Sequence, residues 1–338
     1  MRPLIVALGI MAGISAAGAD TRVLDWSDLK GWEQDDHSAA YEAFKRTCGQ
    51  LEDSDWDAAC RANVNHADTR SFFESYFTPV IVDEGKDALF SGYYEPELEG
   101  SPRQTGPFQF PIHRLPDEVV SGTPWLTRKE IETSGVLNNR DLEIAWLSDP
   151  VDVFFLQIQG SGRIRLTDGS VLRVGLGGRN WHPYKSVGQE MIRRGLLKEN
   201  EASAARIRSW VRDNPARGLK ILWHNPSFIF FQEINRLSEN DGPIGAMNRP
   251  LTAGRSLAVD PEYVPLGSPV WVEKNGGKPI QRLMVAQDTG AAIKGAQRGD
   301  IFFGSGAQAG DTAGRIRHGG RLIILLPKGV AAKLGDRN

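Results

Sequence analysis

Three aspartates in the last third of the chain lie in segments edged with glycine or proline. They are Asp260 in Ala-Val-Asp-Pro, Asp288 in Ala-Gln-Asp-Thr-Gly, and Asp300 in Gly-Asp-Ile-Phe-Phe-Gly. A carboxyl at the end of a strand can donate or accept a proton, and neighbouring glycines let another molecule approach the backbone. The pattern therefore predicts an acid/base site in this part of the chain.

The triplet Asp288-Thr289-Gly290 also occurs at the active sites of aspartic proteases. That chemistry needs two aspartates that share a proton and come from two such motifs, and this sequence contains one. The six histidines show no spacing typical of metal ligands, and no cluster of cysteines or carboxylates accompanies them. We therefore expect neither a protease nor a metal ion or other cofactor.

The charges of the chain indicate no surface for polyanions. The sequence carries 40 basic and 42 acidic residues, a net charge of −2, so nucleic acid is not an expected partner. Lys294, in Ile-Lys-Gly, lacks the upstream glycines of a phosphate-binding loop. It is either a surface charge or a hydrogen-bond donor to a ligand.

The first 19 residues have the features of a secretory signal peptide. Arg2 precedes an apolar run from 4 to 16, and Ala17-Gly18-Ala19 follows as a small-x-small cleavage site. The run is shorter than the roughly 20 residues that span a bilayer, so we expect cleavage before Asp20. No cysteine stands at that cut. The sequence thus predicts a soluble periplasmic protein without a lipid anchor, and it leaves association with the outer membrane open.

Cys48 and Cys60 are the two cysteines of the sequence. In an oxidising compartment such a pair usually forms a disulfide, and closing a loop of about a dozen residues stabilises a fold by roughly 3 kcal/mol. A thiol nucleophile is the competing interpretation. Neither cysteine has glycine-rich or histidine-rich neighbours, so we expect the disulfide.

The elements that must position the aspartates change character along the chain. Apolar residues spaced three and four apart predict helices between about 37 and 77, with Ser54 and Asp57 as a capping box at the second helix. Thr127 and Glu130 form another capping-box pattern. Further helices are expected at about 184–195 and 201–213, a buried strand at 151–159, and a hairpin at 164–172.

The last third consists of short apolar segments separated by Gly, Pro and Asn, a spacing typical of a closed β-barrel. The predicted strands are 256–259, 269–273, 282–287, 301–303 and 321–326. Strand patterns also occur from 78 to 114. We therefore expect a barrel domain with a helical cap, split into 20–112 and 244–338, and a second β domain inserted at 113–243.

Several long motifs follow one another from about Arg70 to Leu326. They are Gly92-Tyr93-Tyr94-Glu95-Pro96, Phe110-Pro111-Ile112-His113-Arg114, Gln157-Ile158-Gln159-Gly160-Ser161-Gly162, Asn225-Pro226-Ser227-Phe228-Ile229-Phe230-Phe231, and Ala286-Gln287-Asp288-Thr289-Gly290 with Ala292-Ile293-Lys294-Gly295. Together they resemble the membrane-bound lytic murein transglycosylase A family. The resemblance implies a mainly β fold: a double-psi β-barrel domain interrupted by a second, smaller β domain, plus a small N-terminal helical region. A groove between the two domains would hold a glycan strand.

The resemblance also implies a reaction. Members of the family cleave the β-1,4 bond between N-acetylmuramic acid and N-acetylglucosamine in peptidoglycan. The muramyl 6-hydroxyl, not water, attacks the anomeric carbon and leaves a 1,6-anhydro product. One carboxyl can serve first as acid and then as base. The family pattern places this carboxyl at Asp300, twelve positions after Asp288.

We expect Asp288 to support Asp300. If the strand that ends at Gln287 lies beside the strand that begins at Ile301, the two carboxyls come within roughly 5 Å of each other across the sheet. Two such carboxyls repel when both are ionised, so one has a raised pKa, and the sequence leaves open which one. Asp260 and Asp288 also remain candidates for turn caps.

Glycan contacts are expected from aromatic faces and from polar side chains. The candidates are Tyr93, Tyr94, Trp146, Trp181, Tyr184, Gln157, Gln159, Ser161, Asp260 and Lys294. For each aromatic residue the core is the main alternative, because most of the nine tryptophans in a protein of this size must be buried.

Two other functions remain open. A hydrolase on a related barrel needs a second carboxylate about 6.5 to 9.5 Å from the acid to activate water. A non-catalytic wall-binding protein would use the barrel as a recognition surface. The products of murein digestion separate the three functions: anhydro ends, reducing ends, or no digestion. The sequence predicts no particular protein partner.

Overall fold

The computed structural model describes residues 20–335, and the signal peptide expected at 1–19 lies outside the described residues. The α-helices in this range are α1 His37–Thr47, α2 Asp57–Arg61, α3 Thr69–Tyr76, α4 Arg128–Ser134, α5 Pro150–Gln159, α6 Val187–Arg193, α7 Ala204–Asp213, α8 Pro215–Leu222, α9 Gly306–Ala313 and α10 Lys328–Gly335. Short 3-10 helices lie at Trp26–Asp28, Trp32–Gln34, Cys48–Gln50, Ser54–Trp56, His66–Asp68 and Glu199–Glu201. None of the helices in the described range has the length and apolar character needed to cross a membrane.

The strands are β1 Asp20–Val23, β2 Phe77–Asp83, β3 Leu89–Glu95, β4 Glu97–Ser101, β5 Phe110–His113, β6 Glu143–Leu147, β7 Gly162–Leu166, β8 Val171–Arg179, β9 Ile229–Glu233, β10 Ser256–Val259, β11 Pro269–Lys274, β12 Ile280–Thr289, β13 Arg298–Ser305, β14 Arg317–His318 and β15 Gly320–Pro327. The strands expected in the last third are therefore all present, with ends that differ by a few residues.

The described chain forms two compact units. The first contains residues 20–93, Ile244–Gly304 and 315–335, and the second contains Tyr94–Pro243 and Ser305–Gly314. The chain first leaves the barrel unit at Tyr93, earlier than the boundary at 112 that the sequence suggests. The reason is strand pairing, because β4 and β5 both pair with β6 in the sheet of the second unit.

The strands of the first unit form one sheet in the order β1-β2-β15-β11-β12-β10-β13-β3-β14. Within it, β10 runs parallel to β12 and antiparallel to β13. All six residues of β11 are buried, so both faces of this strand are covered. Strands covered on both faces form continuous apolar runs, which is why this part of the sequence shows little alternation.

One face of this sheet forms the interior of a barrel. Alternate residues of β2, β10, β11, β12 and β15 meet in a single buried cluster, joined by residues of β3 and β13. Gln297, just before β13, closes the seam: its Nε2 donates to the carbonyls of Val82 and Leu322 at 2.8 and 3.0 Å. The strands from β2 to β13 thus nearly close into a six-strand barrel. The mainly β fold expected from the sequence is confirmed.

The other face of the sheet is covered by the N-terminal helices. Trp271 and Leu325 of the sheet pack in one buried cluster with Trp32, Phe44 and Phe73. These aromatic residues supply large apolar areas, so the helical cap is part of the core of this unit. The helical region expected at the N-terminus is confirmed.

The expected disulfide between Cys48 and Cys60 is present, with the two Cα atoms 5.5 Å apart. The capping box expected at Ser54 and Asp57 is wrong. Asp53 instead accepts a hydrogen bond from the amide of Asp55 and starts a 3-10 turn that leads into α2. Asp and Ser both favour this position, so the sequence pattern was off by one residue.

The second unit is built on a sheet with the order β5-β6-β4-β7-β8-β9. The expected hairpin is confirmed as the antiparallel pair β7 and β8, in which Ile164 faces Leu172. The capping box of Thr127 and Glu130 is confirmed at α4. The two further expected helices are α6 and α7, and each begins after a serine that caps it.

The buried strand expected at 151–159 is wrong, because this segment forms helix α5. Asp149 accepts a hydrogen bond from the amide of Val151 at 2.9 Å, Pro150 occupies the first turn, and Gly160 ends the helix with a left-handed φ of 77°. These are start and stop signals of a helix. The apolar run misleads because one side of α5 packs on the neighbouring helices and the other side on the sheet.

Candidate active site

Asp288 and Asp300 lie on either side of β10. Ala258 of β10 pairs with Asp288 of β12 in one direction and with Asp300 of β13 in the other. Neighbouring strands are about 4.8 Å apart, so the two backbone positions are separated by about 10 Å. The expectation that β12 and β13 lie side by side is therefore wrong, because β10 runs between them. Ala258, which lies between the two carboxyls, is itself buried.

A β-bulge turns Asp288 toward the face that carries Asp300. Ala286 belongs to the barrel interior, and in a regular strand the residue two positions later would share that face. The pairing of β12 with β10 shifts by one residue after Leu257, so that Gln287 is the extra residue. This places Asp288 opposite Ala258 and away from the interior. Asp300 also points outward, since its neighbour Ile301 is in the interior cluster.

Asp300 is held through one of its two oxygens. The Ser91 hydroxyl donates to Oδ1 at 2.7 Å, and Ser91 Oγ in turn accepts a hydrogen bond from Arg298 Nη2 at 2.7 Å. Burial raises the pKa of Asp300, while the Ser91 hydrogen bond and the charge of Arg298 oppose that rise. Within the described part of the chain, Oδ2 of Asp300 has no hydrogen-bond partner.

Asp288 is held through both oxygens. Its Oδ1 accepts from the backbone amides of Ala246 and Thr289 at 3.0 and 2.9 Å, and its Oδ2 accepts from the Tyr93 hydroxyl at 2.9 Å. Burial raises the pKa of Asp288 to about 6, and a charge on Asp300 adds to the rise, whereas the three hydrogen bonds lower it. Burial and the Asp288 carboxylate hold the pKa of Tyr93 well above its usual value. Tyr93 therefore remains a protonated donor.

Asp260 does not reach the surface. It is 1% exposed, and its carboxylate accepts from the amide of Gly295 at 2.9 Å and from Lys294 Nζ at 3.2 Å. Glu84 accepts from the next amide, that of Ala296, at 3.0 Å. Gly295 has a φ of 113°, which side chains other than glycine rarely adopt. Asp260 and Lys294 thus fix the loop that joins β12 to β13.

The glutamine motif of the second unit is mostly occupied by local contacts. Gln159 Oε1 accepts from the amide of Tyr94 at 3.2 Å, and Gly310 packs against the ring of Tyr94. Gln157 and Ser161 are 4% and 9% exposed, and Gln157 Oε1 is buried without a partner among the described residues. Tyr94 and Gln159 are the members of this group that stay partly exposed.

The remaining aromatic candidates have different surroundings. Trp146 is on β6, where it faces Pro111 and Ser101. Trp181 stacks under the guanidinium of Arg179, 4.2 Å from the ring centre. Tyr184 lines a polar cavity of about 340 Å³ together with Lys185, Ser186, Gln189, Glu190, Arg193 and His224.

Three residues that organise these sites are not among those predicted from the sequence. Ser91 and Arg298 hold Asp300, and each had a signal: Ser91 is two residues before Tyr93, and Arg298 is two residues before Asp300, so each pair shares a strand face. Glu95 is 1% exposed and is held by Arg163 at 2.8 Å and Arg173 at 3.0 Å. It lies within the Gly-Tyr-Tyr-Glu-Pro motif, but nothing in the sequence assigns its partners.

Residues 20–335 contain no group of three or more His, Cys, Asp or Glu side chains arranged to hold a metal ion. The chemistry that the described side chains offer around Asp288 and Asp300 is proton transfer. It consists of two carboxyls with raised pKa values, one of which presents a free oxygen.

The comparisons with known proteins cover both units. The family model described as the MltA specific insert domain matches residues 89–232, and the model described as the 3D domain matches residues 255–326. The membrane-bound lytic murein transglycosylase A of Escherichia coli (strain K12) is 36% identical over 254 residues, which cover 72% of this chain and 67% of that protein.

Solved structures of similar proteins agree with this match. MltA from Neisseria gonorrhoeae, in a monoclinic crystal form, superposes with a TM-score of 0.80 at 32% identity over 94% of each chain. A membrane-bound lytic murein transglycosylase from Agrobacterium tumefaciens gives a TM-score of 0.84 at 32% identity, over 93% of this chain and 99% of that one. E. coli MltA with bound chitohexaose gives 0.68 at 28% identity, over 91% and 92% of the two chains.

The barrel unit with its two outward aspartates, and the two matched domains, define a peptidoglycan lytic transglycosylase, an enzyme. The chain belongs to the membrane-bound lytic murein transglycosylase A family.

Proposed function

We propose that Asp300 is the single acid/base residue of the reaction. Its protonated carboxyl gives the proton to the oxygen of the β-1,4 bond between N-acetylmuramic acid and N-acetylglucosamine as the bond from that oxygen to C1 breaks. The resulting carboxylate then takes the proton of the muramyl 6-hydroxyl as that oxygen bonds to C1. The product is a 1,6-anhydromuramyl end, and Asp300 regains its proton.

The free Oδ2 of Asp300 is the observation that carries this proposal. A general acid must present an oxygen within hydrogen-bond reach of the atom that it protonates. Asp300 has such an oxygen, whereas both oxygens of Asp288 are engaged by Tyr93, Ala246 and Thr289. The raised pKa of Asp300 supports the assignment, because it keeps more of the carboxyl protonated near neutral pH.

The competing assignment makes Asp288 the acid. The pKa of Asp288, about 6, suits an acid that works near neutral pH. The geometry favours Asp300, since a proton on Asp288 would have to leave through an oxygen that already accepts hydrogen bonds. In our assignment Asp288 acts on Asp300 through its charge and keeps the Tyr93 hydroxyl oriented.

The residues expected to contact the glycan fall into two groups, buried side chains and partly exposed ones. Asp260, Gln157 and Ser161 are too buried to touch a ligand without rearrangement. Tyr94 and Gln159 keep exposed surface, and we propose them as contacts to the glycan strands of peptidoglycan. The bound chitohexaose of the E. coli relative supports a glycan as the ligand.

We propose that the protein is exported and acts in the periplasm. The apolar run and the small-x-small site at residues 1–19 support export, and so does the disulfide, which an oxidising compartment favours. The relatives are named membrane-bound. Sequencing the N-terminus of the protein recovered from cells tests the cleavage, which we expect before Asp20; an intact Met1 would contradict it.

The experiment that tests the reaction is digestion of purified murein with residues 20–338, followed by mass spectrometry of the soluble products, with and without a chelator. We expect anhydro-ended muropeptides in both samples. Reducing ends would indicate a hydrolase, and no release would indicate a binding protein. Loss of activity in chelator that a divalent ion restores would contradict a mechanism that uses carboxyls alone.

A further inference from the structure

The Ser91 hydroxyl lies between a group that can only donate and a group that must accept. Arg298 Nη2 and Asp300 Oδ1 are both 2.7 Å from Ser91 Oγ. A guanidinium has five N–H donors and no acceptor, and a serine hydroxyl has one proton. Ser91 Oγ must therefore accept from Arg298, and among residues 20–335 the acceptor for its own proton is Asp300 Oδ1.

This direction decides where Asp300 carries its own proton. Oδ1 faces a hydroxyl that is already donating, so a proton on Oδ1 would have no acceptor there. The protonated form of Asp300 therefore holds its proton on Oδ2, which has no partner among residues 20–335. The same oxygen is the one that the proposed reaction uses.

We propose that Arg298 is a positioning residue that acts through Ser91: it fixes the direction of the Ser91–Asp300 hydrogen bond and so keeps the exchangeable proton of Asp300 on Oδ2. This inference rests on the proposed role of Asp300 as the acid/base residue. Arg298 can perform this function without contacting the substrate.

The position of Arg298 is well defined. Its Nη1 donates to the carbonyl of Leu89 at 3.2 Å and to that of Gly299 at 2.6 Å, while Nη2 serves Ser91. Both hydrogen bonds to carbonyls anchor the guanidinium to β3 and β13, the strands that carry Ser91 and Asp300. A rigid anchor of this kind is what a residue needs in order to orient another one.

The charged and titratable groups around Asp300 come from its own strand, from the adjacent strand β3, and from β12 beyond β10. They are Arg298 on β13, Tyr93 on β3 and Asp288 on β12, while Arg317 on β14 acts on Arg298. Of these, Arg298 is the cation that favours the ionised form of Asp300. Removing its charge should raise the pKa of Asp300, so the alkaline limb of the rate profile should move to higher pH.

The test compares Arg298→Gln, Arg298→Lys, Ser91→Ala and Ser91→Thr, with Arg315→Gln, at an exposed arginine of the same unit, as the matched control. For each variant kcat is measured against pH on soluble glycan fragments of murein, and thermal unfolding monitors the fold. We expect Arg298→Gln to lower kcat roughly 10-fold to 100-fold and to move the alkaline limb of the rate profile to higher pH. Arg298→Lys should return the alkaline limb to the pH at which the parent protein shows it. Ser91→Thr should keep the rate that Ser91→Ala loses. Arg315→Gln should leave both kcat and the alkaline limb unchanged.

A double variant tests the path through Ser91. If Arg298 acts through Ser91, the loss in kcat of Ser91→Ala with Arg298→Gln should be smaller than the product of the two single losses. Independent effects, or an unmoved alkaline limb in a folded Arg298→Gln, would overturn the inference. If Arg298→Gln does not fold, the inference is tested by comparing Ser91→Ala with Ser91→Thr. Equal rates for those two variants would also overturn the inference. Near-normal turnover of Asp300→Asn would instead refute the proposed function.

Discussion

Asp288 and Asp300 pair with the same residue, Ala258, from opposite sides. One strand therefore separates the two carboxyls, and they differ in their partners. Asp288 has both oxygens hydrogen-bonded, whereas Oδ2 of Asp300 has no partner among residues 20–335. This difference is the basis for assigning proton transfer to Asp300 and an electrostatic role to Asp288.

The raised pKa of Asp288 predicts that the carboxylate destabilises the fold at neutral pH. The folded-state pKa of about 6 lies above the usual value of 3.8, so the folded state binds the proton more tightly, and stability falls as pH rises through this window. Asp288→Asn removes the titration. We expect the free energy of unfolding of the variant, relative to the parent, to increase by up to about 3 kcal/mol between pH 3.5 and 7. Denaturant unfolding at both pH values measures this free energy. If the difference between variant and parent does not change with pH, the raised pKa of the buried carboxylate is contradicted.

Glu95 should be essential for the stability of the second unit. It is 1% exposed between Arg163 and Arg173. Glu95→Gln would leave two poorly solvated cations without their anion, and we expect the free energy of unfolding to fall by about 3 to 5 kcal/mol. Denaturant unfolding measures the loss. Glu97→Gln is the control, because Glu97 is 48% exposed and 4.0 Å from Arg163; equal effects of the two changes would contradict the account.

Asp260 should act on stability through the loop between β12 and β13. Asp260→Asn replaces one acceptor oxygen by a donor in front of Gly295 N–H or Lys294, and we expect a loss of about 1 to 3 kcal/mol. Glu262→Gln is the control, since Glu262 is 74% exposed and pairs with Lys294 at 3.8 Å. If thermal unfolding shows Asp260→Asn to be as stable as the control variant while glycan binding is lost, Asp260 is a ligand contact after all.

The disulfide should stabilise the helical cap. Cys48 and Cys60 are 12 residues apart, and opening a loop of this length costs about 3 kcal/mol of stability in the chain-entropy model. Thermal unfolding with and without reductant should show the loss. A Cys48→Ser, Cys60→Ser double variant should resemble the reduced protein and should not respond to reductant; a response would point to another cause.

The sequence predicts those parts of the fold that depend on local pattern. The hairpin of β7 and β8, the capping box at Thr127 and the strands of the barrel all follow from spacing and turn residues. The prediction of a strand at 151–159 was wrong because a helix that is buried on both sides lacks the alternation of apolar and polar residues. Its apolar run cannot be distinguished from that of a buried strand by periodicity. The cap signals at Asp149 and Gly160 would have decided it.

The candidate site was predictable in its residue types but not in its geometry. Asp288 and Asp300 are visible in the sequence, whereas the insertion of β10 between their strands depends on a parallel pairing that joins residues far apart in the chain. The bulge at Gln287 likewise has no local signature, yet it decides which face Asp288 occupies. Ser91 and Arg298 become meaningful only once β3 and β13 are neighbours.

The most direct test of the account compares Asp300→Asn with Asp288→Asn. The release of anhydromuropeptides and the binding of glycan are measured for both variants under identical conditions. We expect Asp300→Asn to lower turnover by at least roughly 100-fold to 10,000-fold, the range for a positioned acid/base group, while binding survives. Asp288→Asn should lower it less, because the acid itself remains. Near-normal turnover of Asp300→Asn, together with a folded but inactive Asp288→Asn, would contradict the account and exchange the two roles.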